Sequence, residues 1–343
     1  MKKLLNVLYV TVPNTYLSLD GENVVIKKDE DVAMRLPLHN LENIVCFGYT
    51  GASPALMGAC AERNIGLCFL TPNGNFLARV NGKIKGNVLL RKKQYLISEN
   101  EEESGKIAAS FLIGKIANSR KVIERALRDH AMLVDVQSLT DASAALKELM
   151  MAIKNHENLD ALRGFEGSAA KIYFGVFDQL ILQQRDDFNF KERSRRPPLD
   201  NLNALISFLY TLLTSEVASA LETVGLDPYV GFLHRDRPGR PSLALDLMEE
   251  LRPVFADRLA LSLINRKQII GKGFMKKESG GIIMDDETRK KVLTTWQERK
   301  KELILHPFIK EKIAFGLIPY VQAMLLARFL RGDLDAYPPF FWN

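Results

Sequence analysis

The spacing of apolar residues changes near residue 95, which restricts the chain to a β-rich part followed by a helical part. Ahead of that point, Leu8-Tyr9-Val10-Thr11-Val12 is β-branched and aromatic, and Tyr16 to Leu19 alternates in polarity. Asp20-Gly21 then supplies turn chemistry before Val24-Val25-Ile26, the pattern of a hairpin. Ile44-Val45-Cys46-Phe47 and Leu67-Cys68-Phe69-Leu70 are short apolar runs bounded by glycine, as in buried strands. Ser53-Pro54 places a cap and a first-turn proline before Ala55-Leu56-Met57, predicting one inserted helix. Pro72-Asn73-Gly74 and Asn81-Gly82 mark two further turns.

Beyond residue 95, segments 106–128, 141–153 and 203–224 are rich in Ala, Leu, Lys and Glu with apolar positions at helical spacing. Residues 98–103 are polar and acidic, a linker or a helix start. Segments 188–199 and 267–281 read as basic loops. The expected fold is α+β: an N-terminal β-rich, sandwich-like domain over 1–95, then an all-α domain over 96–343. The β part clusters no acids, histidines or nucleophiles, so it reads as a structural or dimerising domain.

With 343 residues there is room for about two domains. A hydrophobic share of 47% against 26% charged residues excludes a disordered chain. The net charge of +6 is compatible with a polyanionic partner without requiring one. Cys46, Cys60 and Cys68 form no C-x-x-C pair and read as buried apolar residues in a reducing compartment. The start, Met1-Lys2-Lys3-Leu4-Leu5, resembles a signal peptide, but Asn6 and Pro13-Asn14 break its apolar run. No stretch is expected to match the ~18 apolar residues of a membrane span. The expectation is a cytoplasmic protein with no membrane association.

Three places in the helical part offer metal or phosphate chemistry. Glu166, in Arg163-Gly164-Phe165-Glu166-Gly167, reads as an early residue of a helix, either a ligand or an ordinary first-turn acid favoured by the helix dipole. His234 opens a turn crowded by Arg235, Arg237 and Arg240, cations that disfavour a charged imidazole. Leu243, Leu247 and Leu251 mark a helix with an apolar stripe. On it Asp246 and Glu249 are three residues apart and share a face. Such a pair requires a cation or solvent between its charges, and Arg252 is a further candidate to neutralise Glu249. Carboxylates with one imidazole suit Mg²⁺ or Mn²⁺, and Mn²⁺ accepts the histidine more readily. Zinc is disfavoured because no cysteine pair or second paired histidine accompanies them.

Several segments together resemble the CRISPR-associated integrase/endonuclease family, the catalytic subunit of the spacer-acquisition complex. They are Arg193-Ser194-Arg195-Arg196-Pro197-Pro198, Asn203-Ala204-Leu205-Ile206-Ser207-Phe208-Leu209-Tyr210, Gly225-Leu226-Asp227-Pro228, His234, Ser242 to Glu249, and Tyr337-Pro338-Pro339-Phe340. Their details resemble the type I-C version. The resemblance implies a β domain that carries most of a homodimer contact, and a helical catalytic domain. It implies metal ligation by Glu166, His234 and Glu249, with Asp246 as a further catalytic acid close by. Some relatives carry aspartate where this chain has Glu249, so both Asp246 and Glu249 stand as candidates for direct contact. A small partner protein is expected to bridge two dimers. The implied reaction is attack of a DNA 3′-hydroxyl on a phosphodiester of the repeat array, in antiviral defence.

Double-stranded DNA is then expected to contact Arg193, Arg195, Arg196, Arg235, Arg237 and Arg240, with Lys267, Lys272, Lys276 and Lys277 as a further cluster. Arg195 and Arg196 also stand as candidate ion-pair partners of Asp186 or Asp187. Two other classes stay open: a non-catalytic nucleic-acid scaffold whose acids only pair with arginines, and a metal hydrolase of small phosphoesters.

Overall fold

The structure is a computed structural model and describes residues 3–29, 31–72, 74, 76–80, 82, 87–154 and 156–342. Met1 and Lys2 of the opening segment and Asn73 and Asn81 of the two expected turns lie outside the described residues. The chain opens with strands β1 (Asn6–Val10), β2 (Thr15–Asp20), β3 (Asn23–Lys28), β4 (Asp31–Pro37), β5 (Leu41–Phe47) and β6 (Gly51–Ala52). Helix α1 (Pro54–Glu62) and strands β7 (Gly66–Leu70) and β8 (Phe76–Val80) follow. The strands form two four-stranded sheets, ordered β1-β5-β7-β8 and β4-β3-β2-β6. In the first, β1, β5 and β7 run parallel and β8 antiparallel; in the second, β4, β3 and β2 are antiparallel neighbours.

Local chemistry accounts for these elements. Asp20 pairs with Asn23 across the β2–β3 ladder, leaving Gly21-Glu22 as the predicted hairpin loop. Ser53 Oγ accepts the Leu56 amide at 3.2 Å and Pro54 is the first residue of α1, as expected. Leu17 and Val24 from one sheet, Ile44, Cys46 and Leu67 from the other, and Leu56 and Cys60 from α1 bury themselves in one apolar core. All three cysteines are buried thiols with no disulfide between them.

The rest comprises helices α2 (Val88–Ser98), α3 (Glu101–His130), α4 (Val136–Ile153), α5 (Leu159–Gly175), α6 (Asn201–Val224), α7 (Ser242–Arg252), α8 (Arg258–Asn265), α9 (Asp286–Lys300) and α10 (Ile318–Arg331). Strands β9 (Phe274–Lys276) and β10 (Ile282–Met284) pair antiparallel, and β11 (Leu303–Leu305) and β12 (Lys312–Ala314) are equally short. The mixed α+β class is as expected, but the helical part is not all-α, because the second basic loop folds into the β9–β10 ribbon.

Two compact units divide the chain: one of Met1–Gly86, Asp286–Glu302 and Ala314–Leu317, the other of Asn87–Asp285, Leu303–Ile313 and Ile318–Asn343. The expected boundary at 95/96 therefore falls inside α2, whose Gln94 amide donates to the Asp227 and Val230 carbonyls of the helical unit at 2.8 Å each. Helix α9 belongs to the β-rich unit, where Gln297 donates to the Tyr9 hydroxyl at 2.9 Å. Local periodicity carries no information about such a return.

Helix α3 organises the second unit. Asn100 Oδ1 caps it by accepting the Glu102 and Glu103 amides at 3.0 and 3.1 Å, so residues 98–103 are a helix start. Gly114 lets α3 approach α7: a Cβ there would stand 2.8 Å from Glu250 Cβ and 3.0 Å from Pro339 Cβ. Helix α6 corrects the expectation that no stretch matches a membrane span, since its length and hydropathy suffice for one. Leu205, Leu209, Leu213, Val217 and Leu221 are instead buried inside the unit, as in a core helix of a folded domain.

Candidate functional site

Helix α7 carries the predicted apolar stripe, with Leu243, Leu247 and Leu251 each fully buried. Each contributes about 1.5–3 kcal/mol by leaving water, which fixes the rotation of the helix and aims its acids. The expected shared acidic face is not solvated, since Asp246 is fully buried and Glu249 is 3% exposed. Nor do the two acids share one counterion.

Asp246 is wrapped by the loop that precedes α7. Its Oδ2 accepts the Phe232 and Leu233 amides at 2.6 and 2.9 Å, and its Oδ1 the His234 amide at 3.0 Å. Oδ1 also lies 2.6 Å from His234 Nδ1. An ionised carboxylate only accepts, so Nδ1 carries the hydrogen, and a neutral ring presents its lone pair at Nε2. Gly231 permits the wrap, because a Cβ there would stand 2.7 Å from Asp246 Oδ2 and 2.8 Å from Ser242 Cβ. Arginines neighbour His234 in sequence, but the charged group against its ring is this carboxylate. Arg163 of α5 donates to the Leu233 carbonyl at 2.9 Å and so ties the histidine turn to α5.

Glu249 meets different partners. Lys115 Nζ of α3 lies 2.9 Å from its Oε2, and Arg252, one turn along α7, donates to the same oxygen. Glu166 Oε1 contacts the same Lys115 ammonium and lies 3.5 Å from Arg252. Two acids and two cations thus form one cluster, and the side-chain exposure is 6% for Lys115, 4% for Glu249, 10% for Arg252 and 31% for Glu166. Burial alone would raise Glu249, but the Arg252 guanidinium and the Lys115 ammonium overcome it and hold the carboxyl at about 2. Glu166 is not a first-turn residue. Helix α5 starts at Leu159 with Asn158 capping the Ala161 amide at 2.9 Å, which places Glu166 at mid-helix. A Cβ at Gly164 or Gly167 would meet nothing within 4 Å, so among the described residues no neighbouring backbone presses on that stretch.

Beside the cluster lies a small cavity lined by Lys115, Tyr173, Tyr210, Arg252 and Asp257, among others. Asp257 closes a five-residue π-turn that Pro253 opens where α7 passes into α8; proline has no amide to continue the α ladder. Its buried carboxylate accepts the hydroxyls of Tyr210 at 2.8 Å and Tyr173 at 3.2 Å, and burial pushes its pKa up to about 6. Behind α7, Glu250 accepts the Tyr337 hydroxyl at 2.5 Å, the Gln322 amide at 2.9 Å and the Phe340 amide at 3.0 Å. The Tyr337-Pro338-Pro339-Phe340 motif therefore clamps the helix that bears Asp246 and Glu249.

The arginines divide. Arg195, Arg196, Arg235 and Arg237 are exposed. Partial burial, and after it the charges of Arg237, Arg195 and Arg196, lower the pKa of Arg240, so four guanidinium groups from two loops lie within electrostatic reach of one another, with Asp246 opposing them. Arg235 pairs with Asp160 at 2.9 Å. Arg193 departs from the expected surface role. It turns inward to Asn203 Oδ1 at 2.5 Å, Ser207 Oγ at 3.1 Å and the Tyr210 ring face. Among the described residues neither Arg195 nor Arg196 pairs with Asp186 or Asp187.

Sequence reasoning missed Lys115 and Asp257. The signal for Lys115 is a lone cation in the run Phe111-Leu112-Ile113-Gly114-Lys115-Ile116; none marks Asp257. Among the described residues, no three acids, histidines or cysteines stand close enough to enclose a metal ion. The donors nevertheless fit Mg²⁺ or Mn²⁺ in kind. Two carboxylates already meet on one buried cationic position, and the neighbouring imidazole has its proton directed away from Nε2.

A β-rich unit joined to a helical unit that buries acids and cations beside an oriented, partly exposed imidazole defines the class. Residues 8–298 match the family described as CRISPR associated protein Cas1, and the chain belongs to that family. It is 55% identical to "CRISPR-associated endonuclease Cas1 2" of Rhodospirillum rubrum over 100% of both chains. Its fold is shared with a casposase bound to integration product, at TM-score 0.84 and 21% identity, covering 100% of this chain and 95% of that one. The same holds for a Cas6-RT-Cas1–Cas2 complex at TM-score 0.81 and 24% identity, covering 100% of this chain and 36% of that one.

Proposed function

We propose that this chain is a divalent-metal-dependent DNA integrase and endonuclease, the catalytic subunit that inserts new spacers into a CRISPR array. The observation that carries the reading is the meeting of Glu166 and Glu249 on one buried cationic position, on elements tied to the Asp246-oriented His234. The endonuclease name of the Rhodospirillum rubrum relative supports phosphodiester cleavage. The casposase of the same fold is bound to integration product, which supports integration.

Glu166, His234 and Glu249 would hold Mg²⁺ or Mn²⁺, which when bound polarises a phosphoryl oxygen and offsets developing charge. Asp246 is a positioning residue, because its lone pairs are engaged by three amides and the His234 ring. Arg195, Arg196, Arg237 and Arg240 bind DNA phosphates, with Arg235 at their margin, while Arg193 braces Tyr210 and the start of α6. In the reaction a DNA 3′-oxygen forms a bond to a phosphorus of the repeat strand, and the bond from that phosphorus to the strand's own 3′-oxygen breaks. The proton of the attacking hydroxyl leaves to solvent and the departing oxygen takes one up. The number of phosphodiesters is conserved, so no nucleotide fuel is needed. Water in place of the hydroxyl gives nuclease activity. The β-rich unit is the proposed homodimer surface; its edge strand β4 leaves Val32 and Met34 half exposed. A small partner protein completes the assembly, in line with the Cas1–Cas2 complex that shares this fold.

Strand transfer of a short duplex into a supercoiled, repeat-bearing plasmid tests this, with the partner protein present and Mn²⁺ compared with EDTA. Joined product that needs the metal and disappears in Glu166→Ala, His234→Ala and Glu249→Ala is the expected result. One observation favours a second reading, a nucleic-acid scaffold: both acids are fully matched by Lys115 and Arg252. That reading expects metal-insensitive DNA binding, unchanged in Glu166→Ala, and no joined product.

A further inference from the structure

We propose that Lys115 is a tethered stand-in for the divalent cation: its ammonium holds Glu166 and Glu249 together, and the ion and the lysine compete for these two carboxylates. The inference rests on the metal-dependent reading above.

Lys115 is a buried lysine, with 6% of its side chain exposed, in the middle of an otherwise apolar stretch of α3. A lysine buries its ammonium only where acids or other acceptors compensate it. Here the compensating groups are the two carboxylates assigned as ligands, one from α5 and one from α7. Arg252 differs, since it is three residues from Glu249 on the same helix and stays beside that acid wherever α7 goes. Lysine is also the more apt cation for a removable role: a point charge on four methylenes swings more freely than a planar guanidinium fork.

The charge balance of the four directly paired groups favours competition. Glu166 and Glu249 against Lys115 and Arg252 sum to zero. A divalent ion added to that set would leave two uncompensated positive charges in a mostly buried site, and withdrawing Lys115 leaves one. The cavity beside the cluster gives the lysine somewhere to go, because Lys115 itself lines it together with the hydroxyl-bonded Asp257 carboxylate. Lys115 therefore preserves the site without an ion and weakens ion binding when one arrives.

The test is Mn²⁺ binding to the full-length protein without DNA, read by the electron paramagnetic resonance signal of free Mn²⁺. Lys115→Met removes the charge and keeps the length; the expected result is binding about ten-fold tighter or more. Lys115→Arg keeps the charge and is expected to bind no more tightly than the wild type. Glu166→Gln, alone and combined with Lys115→Met, separates two kinds of failure. If Glu166→Gln weakens Mn²⁺ binding but Lys115→Met binds equally or more weakly than wild type, the stand-in is wrong and the metal site survives. If no protein shows binding that depends on Glu166, the metal-dependent reading falls and takes the inference with it. The wild type supplies a check that needs no variant. With ¹³Cε-labelled lysine, one buried signal is expected to shift on titration with diamagnetic Mg²⁺, at the midpoint of ion binding. A buried lysine signal that stays fixed while Mg²⁺ binds overturns the displacement.

Discussion

The β-rich strands of the first unit and the helices of the second bury different things. Among the described residues of the first eighty-six, the buried polar side chains are Thr15 and Thr50, and the shared core is Val, Leu, Ile, Ala and Cys; the buried Arg289 and Lys300 of the same unit come from the returning helix α9. The helical unit buries Lys115, Asp246, Glu249, Glu250, Arg252 and Asp257, all within or beside one helix pair and its π-turn. A buried charge costs several kcal/mol unless it is paired and hydrogen-bonded. The helical unit meets that cost with a dense network, whereas the β-rich strands avoid it. Stability through apolar packing and capacity for chemistry are thus separated along the chain.

The largest expected effect breaks the network itself. Glu249→Ala leaves Lys115 and Arg252 facing each other with Glu166 as their remaining acid. Unfolding in urea is expected to show a loss of about 3–5 kcal/mol. A loss below 1 kcal/mol would mean that the cluster is solvated and the contrast between the units false. Asp257 gives a smaller effect with a defined pH window. It is enclosed by Tyr173 and Tyr210, with Arg252 and Arg193 as the nearby cations, and burial raises its pKa to about 6. The folded state then holds this proton more tightly than the unfolded state, whose aspartate titrates near 3.8. Its contribution to stability is full below about pH 4 and is lost as pH rises through 6, a decline of roughly 3 kcal/mol. Asp257→Asn should flatten that part of the wild-type pH–stability curve. A curve of unchanged slope shows that the carboxyl is already ionised across the window.

What was readable beforehand follows the same division. In the β-rich strands the signals are local, and Asp20-Gly21 and Ser53-Pro54 sit where turn and cap chemistry put them. In the helical unit the α7 stripe was equally legible, because Leu243, Leu247 and Leu251 repeat once per turn. Glu166 was misplaced because Gly164 and Gly167 suggest an interruption, while packing of Leu162, Ala169 and Tyr173 carries α5 straight through them. Arg193 reads like its neighbours Arg195 and Arg196, and only the inward acceptors on α6 set it apart. Lys115 meets its acids across long sequence separations, and α9 returns to the first unit through contacts that no window of sequence contains.

A single methylene tests the apolar side of the comparison. Ile44 is fully buried in the shared core of the two sheets, so Ile44→Val is expected to cost about 1 kcal/mol. Mn²⁺ affinity should stay unchanged, since no charge or hydrogen bond is touched. A shift in affinity as large as that of Glu166→Gln would show that packing in the β-rich strands tunes the acids, and the separation would fail.

The smallest effect concerns the cysteines, where the expected observation is the absence of a reaction. Burial pushes the Cys46 thiol up to about 12 and the Cys60 thiol up to about 11. The thiolate is the reactive form, and at neutral pH almost none of it is present at either sulfur. Cys68 is 4% exposed in the same strand pairing as Cys46, which leaves a reagent no path to it. Native protein mixed with Ellman's reagent at pH 8 is expected to release no colour on the time scale of minutes. All three thiols should react at once in guanidinium chloride. Slow release whose rate matches unfolding would still fit a closed apolar core. A fast fraction in native buffer would show the β-rich sheets opening locally, and their stability would then depend on something other than the packing that buries them.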